Sequence, residues 1–172
     1  MKKMKTILLV ILVSCIVLGT AMCIFKRDQT KEEMIQEYQK HEEAFEYVKE
    51  YYIAHDLTLI FRYPRDKIIS INVNGSGTDI PLEDIDDELL VQYVHLLFDD
   101  LHYFWISDDS AWKEDVIQLM FEKETNKTYY YKKIVYCEDG EPPISTSSVF
   151  YNVEQIEKYW FYCEADEYED LF

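Results

Sequence analysis

The sequence predicts an α+β domain behind an amino-terminal transmembrane helix, its sheet mostly antiparallel with a second helix packed on it. Three observations carry this reading. Residues 6–25 form a run of 20 without charge, flanked by Lys2, Lys3 and Lys5 before it and by Lys26 and Arg27 after it. Apolar residues then recur at helical spacing in two stretches, around 34–55 and 85–101, with short strand-like runs elsewhere. The resulting order of helix, strands, helix, strands suits α+β packing better than alternating βαβ units. A chain of 172 residues suits one domain of ordinary size. Its expected segments are a signal-anchor at 1–27, an amphipathic helix at 28–56 and an acidic α+β domain at 57–172.

Each element has a local reason. Twenty helical residues rise about 30 Å, the thickness of a bilayer's hydrocarbon core. A helix is the one form in which a lone segment satisfies its backbone groups there. A cleaved secretory signal would be shorter, although Gly19-Thr20-Ala21 is small enough for cleavage. Leu12-Val13-Ser14-Cys15 resembles a bacterial lipobox, yet Ile16-Val17-Leu18 stays apolar where a lipoprotein turns polar. An uncleaved single span is therefore expected. Lys and Arg nearly tie across it, and the five-residue stub before it argues for export of the bulk of the chain.

Thr30-Lys31-Glu32-Glu33 reads as a capping box. From there Met34, Tyr38, His41, Phe45, Val48, Tyr52 and His55 follow at steps of three and four, one helical stripe that packs on its own domain rather than in a coiled coil. Residues 57–63 and 67–73 read as strands joined through Pro64-Arg65-Asp66, and Asn74-Gly75-Ser76-Gly77 is a turn. Pro81 and Asp84 introduce a second helix, with Ile85, Leu89, Tyr93, Leu96, Leu97 and Leu101 on its apolar side. Strands are expected at 102–107, 116–123, 128–138 and 149–153, the middle two joined as a hairpin at 124–127. Residues 158–163 fit a strand or a short helix, because their apolar residues run without a period.

This order resembles small, N-terminally anchored extracytoplasmic domains of Gram-positive bacteria. The likeness lies in Ile68-Ile69-Ser70-Ile71-Asn72-Val73-Asn74-Gly75, the helix after it, Val116-Ile117-Gln118-Leu119-Met120-Phe121 and Tyr129-Tyr130-Tyr131, over about residues 67–163. The resemblance implies location and fold. It carries no active site across.

Charge narrows the function classes. Five of the 17 basic residues and none of the 34 acidic ones fall in residues 1–27, so residues 28–172 hold 12 against 34, a net −22. Such a surface repels phosphate backbones and anionic headgroups, which argues against nucleic-acid binding. It suits a basic protein, divalent cations, or simply a solvated surface. Fifteen Tyr, nine Phe and three Trp argue against a disordered acidic tail, and four Gly leave little material for a phosphate-cradling loop.

Cys15 and Cys23 fall in the expected span, leaving Cys137 and Cys163. In an exported domain these two could form a disulfide closing a loop of about 27 residues, worth about 3–4 kcal/mol in the chain-entropy model. In the cytosol they would stay reduced, as small buried side chains. Their spacing matches no zinc motif.

No catalytic, cofactor or metal residues are expected. Asn72-x-Asn74-x-Ser76-Gly77 with Glu83 has the oxygen spacing of a calcium loop, but Asn72 begins it instead of Asp, and Pro81 sits where a helix should start. A Gly-containing loop beginning after a strand explains the same letters. His41-Glu42-Glu43-Ala44-Phe45 lacks the second His of a zincin. His95 and His102 could share a helix face near Asp99, and Asp86-Asp87, Asp99-Asp100 and Asp108-Asp109 could supply carboxylates, although 34 acids make such pairs commonplace. Val91-Gln92-Tyr93-Val94-His95-Leu96 imitates a phosphotyrosine inhibitory motif while Tyr93 belongs to a helical stripe. Asn74 and Asn126 head glycosylation sequons, meaningful only in a eukaryotic secretory route.

Dense aromatics at 103–105, 129–131 and 159–162 either fill both sides of a sheet or leave a face for sugar or peptide. The expectation is therefore a non-enzymatic, membrane-anchored domain that binds an unknown protein or wall component at the cell surface. The alternatives are an inhibitor or immunity-type protein that blocks a basic partner, and a surface hydrolase using carboxylates.

Overall fold

Thr30 starts the first helix in the way its spacing predicts. In the computed structural model, which describes residues 28–62, 68–73, 78–108, 116–125, 130–144 and 148–167, its hydroxyl accepts from the Glu33 amide at 3.2 Å. The Glu33 carboxylate in turn accepts from the Thr30 amide at 2.7 Å. The expected span at 6–25 lies outside the described residues, and none of the described helices is long and apolar enough to cross a membrane.

The predicted single helix is two, α1 (Lys31–Lys40) and α2 (Glu42–Ala54), separated at His41 where φ is −121° and ψ 23°. The His41 amide still donates to the Glu37 and Tyr38 carbonyls, so the break is a change of direction rather than a loop. Met34, Tyr38, Phe45, Val48 and Tyr52 are buried as the stripe requires, whereas His41 is half-buried and His55 exposed.

Eight strands follow: β1 (Leu57–Arg62), β2 (Ile69–Val73), β3 (Asp79–Pro81), β4 (Trp105–Asp108), β5 (Gln118–Glu124), β6 (Tyr130–Cys137), β7 (Ser148–Gln155) and β8 (Trp160–Glu167). They form one sheet in the order β3-β2-β1-β4-β5-β6-β8-β7, with every neighbouring pair antiparallel. The segment that fitted strand or helix is thus the strand β8, held between β6 and β7. An uninterrupted apolar run is what a strand buried on both faces looks like.

Between β3 and β4 lies α3 (Glu88–His95). It begins later than expected. Asp87 caps it, accepting from the Leu90 amide at 2.8 Å, while Leu82–Asp84 make a 3₁₀ turn. The buried side is Leu90, Val94, Leu97 and Phe98, and Leu89 is exposed, so the apolar stripe read from the sequence is one position out of phase. α3 continues as a π turn over Leu96–Asp100, where the Leu101 amide donates to the Leu96 carbonyl at 3.0 Å. One extra residue in that turn moves everything beyond it around the helix.

Side chains alternate across the strands. One face carries Ile60, Ile71, Ile106, Leu119, Phe121, Ile134, Trp160 and Tyr162, and the three helices cover it. Phe45 of α2 sits at the centre, its ring 5.1 Å from Phe121, 5.5 Å from Tyr103 and 5.2 Å from Tyr38. Full burial of a side chain of this size contributes about 2–3 kcal/mol. Polar ties fix the helices at the rim of this core. The Trp160 indole donates to Glu46 of α2 at 2.6 Å, and Lys123 of β5 bridges Glu37 of α1 and Gln29. The expected amphipathic segment 28–56 therefore shares its core with the sheet.

The other face carries Met120, Val135, Cys137, Phe161 and Cys163, all buried, with Phe150 against them. Near one end the Gln118 side chain donates to the Ile144 carbonyl at 2.6 Å and accepts from its amide at 2.9 Å, holding the segment after β6 beneath the sheet. That segment turns at Gly140, with φ +70°, where a Cβ would stand 3.0 Å from the Lys158 carbonyl oxygen.

Candidate functional site

The strands β6, β8 and β7 run on past the start of α1, and the end of the sheet they form holds a cluster of tyrosines around Glu164. β8 places Tyr162 and Glu164 on the helix-covered face, β6 places Tyr130 beside them, and β7 brings Tyr151 opposite Glu164. A bulge in β7 between Tyr151 and Glu154 puts Asn152 at φ +49°, a conformation Asn tolerates better than most residues. From there the Asn152 amide donates to Glu164 at 2.6 Å, and the Tyr162 hydroxyl donates to the same carboxylate at 2.8 Å. Tyr151 donates to Asp166 at 3.3 Å, its ring 5.9 Å from that of Tyr130. Lys31, first residue of α1, pairs with Glu154 at 2.6 Å.

Lys31, Asn152, Val153, Glu154 and Glu164 line an open recess of about 420 Å³. Burial raises the Glu164 carboxyl, but hydrogen bonds from Asn152, Tyr162 and Tyr130 and the charge of Lys132 outweigh it and hold the group below the usual carboxylate range. Burial and the neighbouring Asp166 push Tyr151 up to about 12. The recess thus sets two carboxylates, Glu154 and Glu164, against the Lys31 ammonium, with the tyrosines packed in the strands around Glu164. That combination suits a cation or a hydrogen-bond donor better than an anion.

A second recess, about 340 Å³, is lined by Gln92, His95, Leu96, Asp99 and Asp100 at the π turn. Asp99 lies 2.7 Å from His95 Nδ1 and 2.5 Å from the Arg62 guanidinium, which also donates to the Phe98 carbonyl. Partial burial opposes ionisation of Asp99, yet the His95 hydrogen bond and the Arg62 charge hold its carboxyl below the ordinary value. The lining supplies no hydroxyl or thiol for that histidine to activate.

The structure brings His95 to Asp99 as the sequence suggested, but not His102, which lies beyond the π turn at φ +63° and is exposed. Asp87 is absorbed as the α3 cap and as acceptor from the Tyr47 hydroxyl at 3.1 Å, and Asp86 is exposed. Tyr93 packs at 5.5 Å on Tyr47, half-buried. Asn72 pairs with Asp79 across β2 and β3 and donates to its carboxylate at 2.9 Å, so the calcium-like spacing runs through a β-hairpin with Pro81 inside β3. Asn74, Ser76, Asn126 and Asp109 lie outside the described residues.

The expected disulfide between Cys137 and Cys163 is corrected. Both cysteines are buried. Lys133, not Cys137, stands opposite Cys163, which leaves Cys137 four residues along β6. That is about 13 Å along the strand, about twice the widest Cα separation a disulfide spans.

One pair escaped the sequence reading. Lys133 and Glu122, opposite each other on β6 and β5, form an ion pair at 3.1 Å with side chains 2% and 8% exposed. The Lys133 ammonium also lies 5.5 Å from the Phe150 ring centroid and 5.8 Å from that of Tyr131. The available signal was Lys132-Lys133 in the middle of an apolar strand, where alternation sends one lysine to each face. Lys132 goes to the helix-covered side and donates to the Gln29 carbonyl, and Lys133 goes inward on the other.

The fold and recess define an α+β domain built on one eight-stranded antiparallel sheet with a polar recess, two carboxylates to one ammonium, at one edge. No family model, curated protein or solved structure matches the chain.

Proposed function

We propose that the chain is held in a membrane by residues 6–25 and presents its acidic domain outside the cytoplasm. There it binds a protein or wall component without catalysing a reaction. The observation that carries this reading is the join between the expected span and the fold. Gln29 is clasped by Lys123 through its side chain and by Lys132 through its carbonyl, and the capped α1 begins two residues later. A domain fastened this close to the end of an apolar segment stands directly on the bilayer with no linker between. The resemblance to anchored extracytoplasmic domains supports the same placement.

Site-directed labelling of intact cells tests it. Cys137 and Cys163 are buried, so the reporter is the exposed position Glu83→Cys in a chain with Cys15 and Cys23 replaced by alanine. A membrane-impermeant maleimide is expected to label it without permeabilisation, and removal of residues 1–27 should release the domain from the membrane fraction. Labelling only after permeabilisation would contradict the proposal.

A further inference from the structure

The two edges of the sheet are not alike. β3 is three residues long and ends in Pro81, which has no amide to offer, so that edge is blunt. β7 is eight residues long, and no described strand pairs with its outer side. Val149 and Val153 on it are 47% and 38% exposed, and the Glu164 recess opens beside Val153. We infer that the outer edge of β7 accepts, as an added strand, an extended partner segment bearing Lys or Arg at alternate positions, one of which enters the Glu164 recess.

Three features select that occupant. Backbone pairing along an edge gives affinity, while side chains on alternate positions read the neighbouring pockets. The recess sets two carboxylates, Glu154 and Glu164, against the single ammonium of Lys31, which already pairs with Glu154, so a partner's lysine or arginine can answer the charge of Glu164. The net −22 of residues 28–172 draws a basic segment in and repels a second copy of the same chain.

This deepens the binding role proposed above without depending on which side of the membrane the domain occupies, so the labelling test and the following one can fail separately. The purified full chain in detergent micelles is titrated with three synthetic octapeptides: alternating Lys and Val, alternating Glu and Val, and the Lys–Val peptide with alternate backbone amides methylated. The Lys–Val peptide is expected to bind, to shift backbone amide resonances at 148–155, and to weaken between about 50 mM and about 500 mM salt. The glutamate and methylated peptides should not bind, and Glu164→Gln should cost about fivefold in affinity. Failure of the Lys–Val peptide, equal binding of the glutamate peptide, or full binding of the methylated peptide would overturn the inference. So would dimerisation through β7 without peptide. The peptide comparison uses the unaltered protein, so it stands even if Glu164→Gln proves unstable.

Discussion

On the helix-covered face of the sheet, Phe45, Tyr103, Phe121 and Trp160 meet ring against ring, and the Lys123–Glu37 ion pair closes one side of the cluster with the Lys123 ammonium 4.3 Å from the Tyr103 ring centroid. On the opposite face Lys133 and Glu122 are buried just as deeply, among Met120, Val135 and Cys163. The two faces therefore bury side chains to the same extent by different means. The first draws on apolar area and aromatic contacts, which tolerate small shifts. The second holds a charge pair whose desolvation is costly and whose geometry admits one register between β5 and β6, since a slip of one residue would send Lys133 into the aromatic core.

The comparison breaks first at its apolar centre. Phe45→Ala should destabilise the protein by about 3–5 kcal/mol, measured by urea denaturation. A loss below about 1 kcal/mol would mean that α2 does not hold this face. The ion pair gives an effect of similar or smaller size and a sharper signature. Lys133→Met leaves Glu122 buried without its cation and should cost about 3–5 kcal/mol near neutral pH. Adding Glu122→Leu should restore most of it, whereas an additive double variant would show that the pair does not act as a unit.

Gly140→Ala probes how the segment after β6 is held. Its positive φ and the nearby Lys158 carbonyl predict a loss of about 1–3 kcal/mol by the same measurement. Thr30→Ala removes one half of the capping box and should cost about 1 kcal/mol.

The smallest effect is at the candidate site. Because the folded Glu164 carboxyl titrates below its ordinary value of 4.5, its contribution to stability is fully present above that value and is lost as pH falls through the lower folded one. A carboxyl-carbon NMR titration should show the low midpoint, and Asn152→Ala should move it upward. A midpoint at the ordinary value in the unaltered protein would remove the electrostatic basis of the recess.

Much of the fold was legible because its signals are local. The capping box at Thr30, the stripe from Met34 to Tyr52 and the strand pattern of 57–73 each depend on neighbours within a few residues. The His41 break and the π turn at Leu96–Asp100 were not legible, since both adjust helices to a sheet assembled from distant segments. The candidate site was legible only as an excess of tyrosine. What makes it a recess is the register of β7 on β8 and the bulge at Asn152, and neither can be read until both strands are paired. The disulfide expectation failed for the same reason, because spacing of 27 residues along the chain says nothing of where two strands align.

The account rests on a sheet closed on both faces, with recognition left to its β7 edge. Thiol reactivity tests this most directly. In the full chain with Cys15 and Cys23 replaced by alanine, Cys137 and Cys163 report on the face that carries the ion pair. The predicted result is two thiols that react with a maleimide only as fast as global unfolding allows, at every urea concentration. Rapid labelling of either thiol in the absence of urea would show that this face opens independently, and would contradict the account.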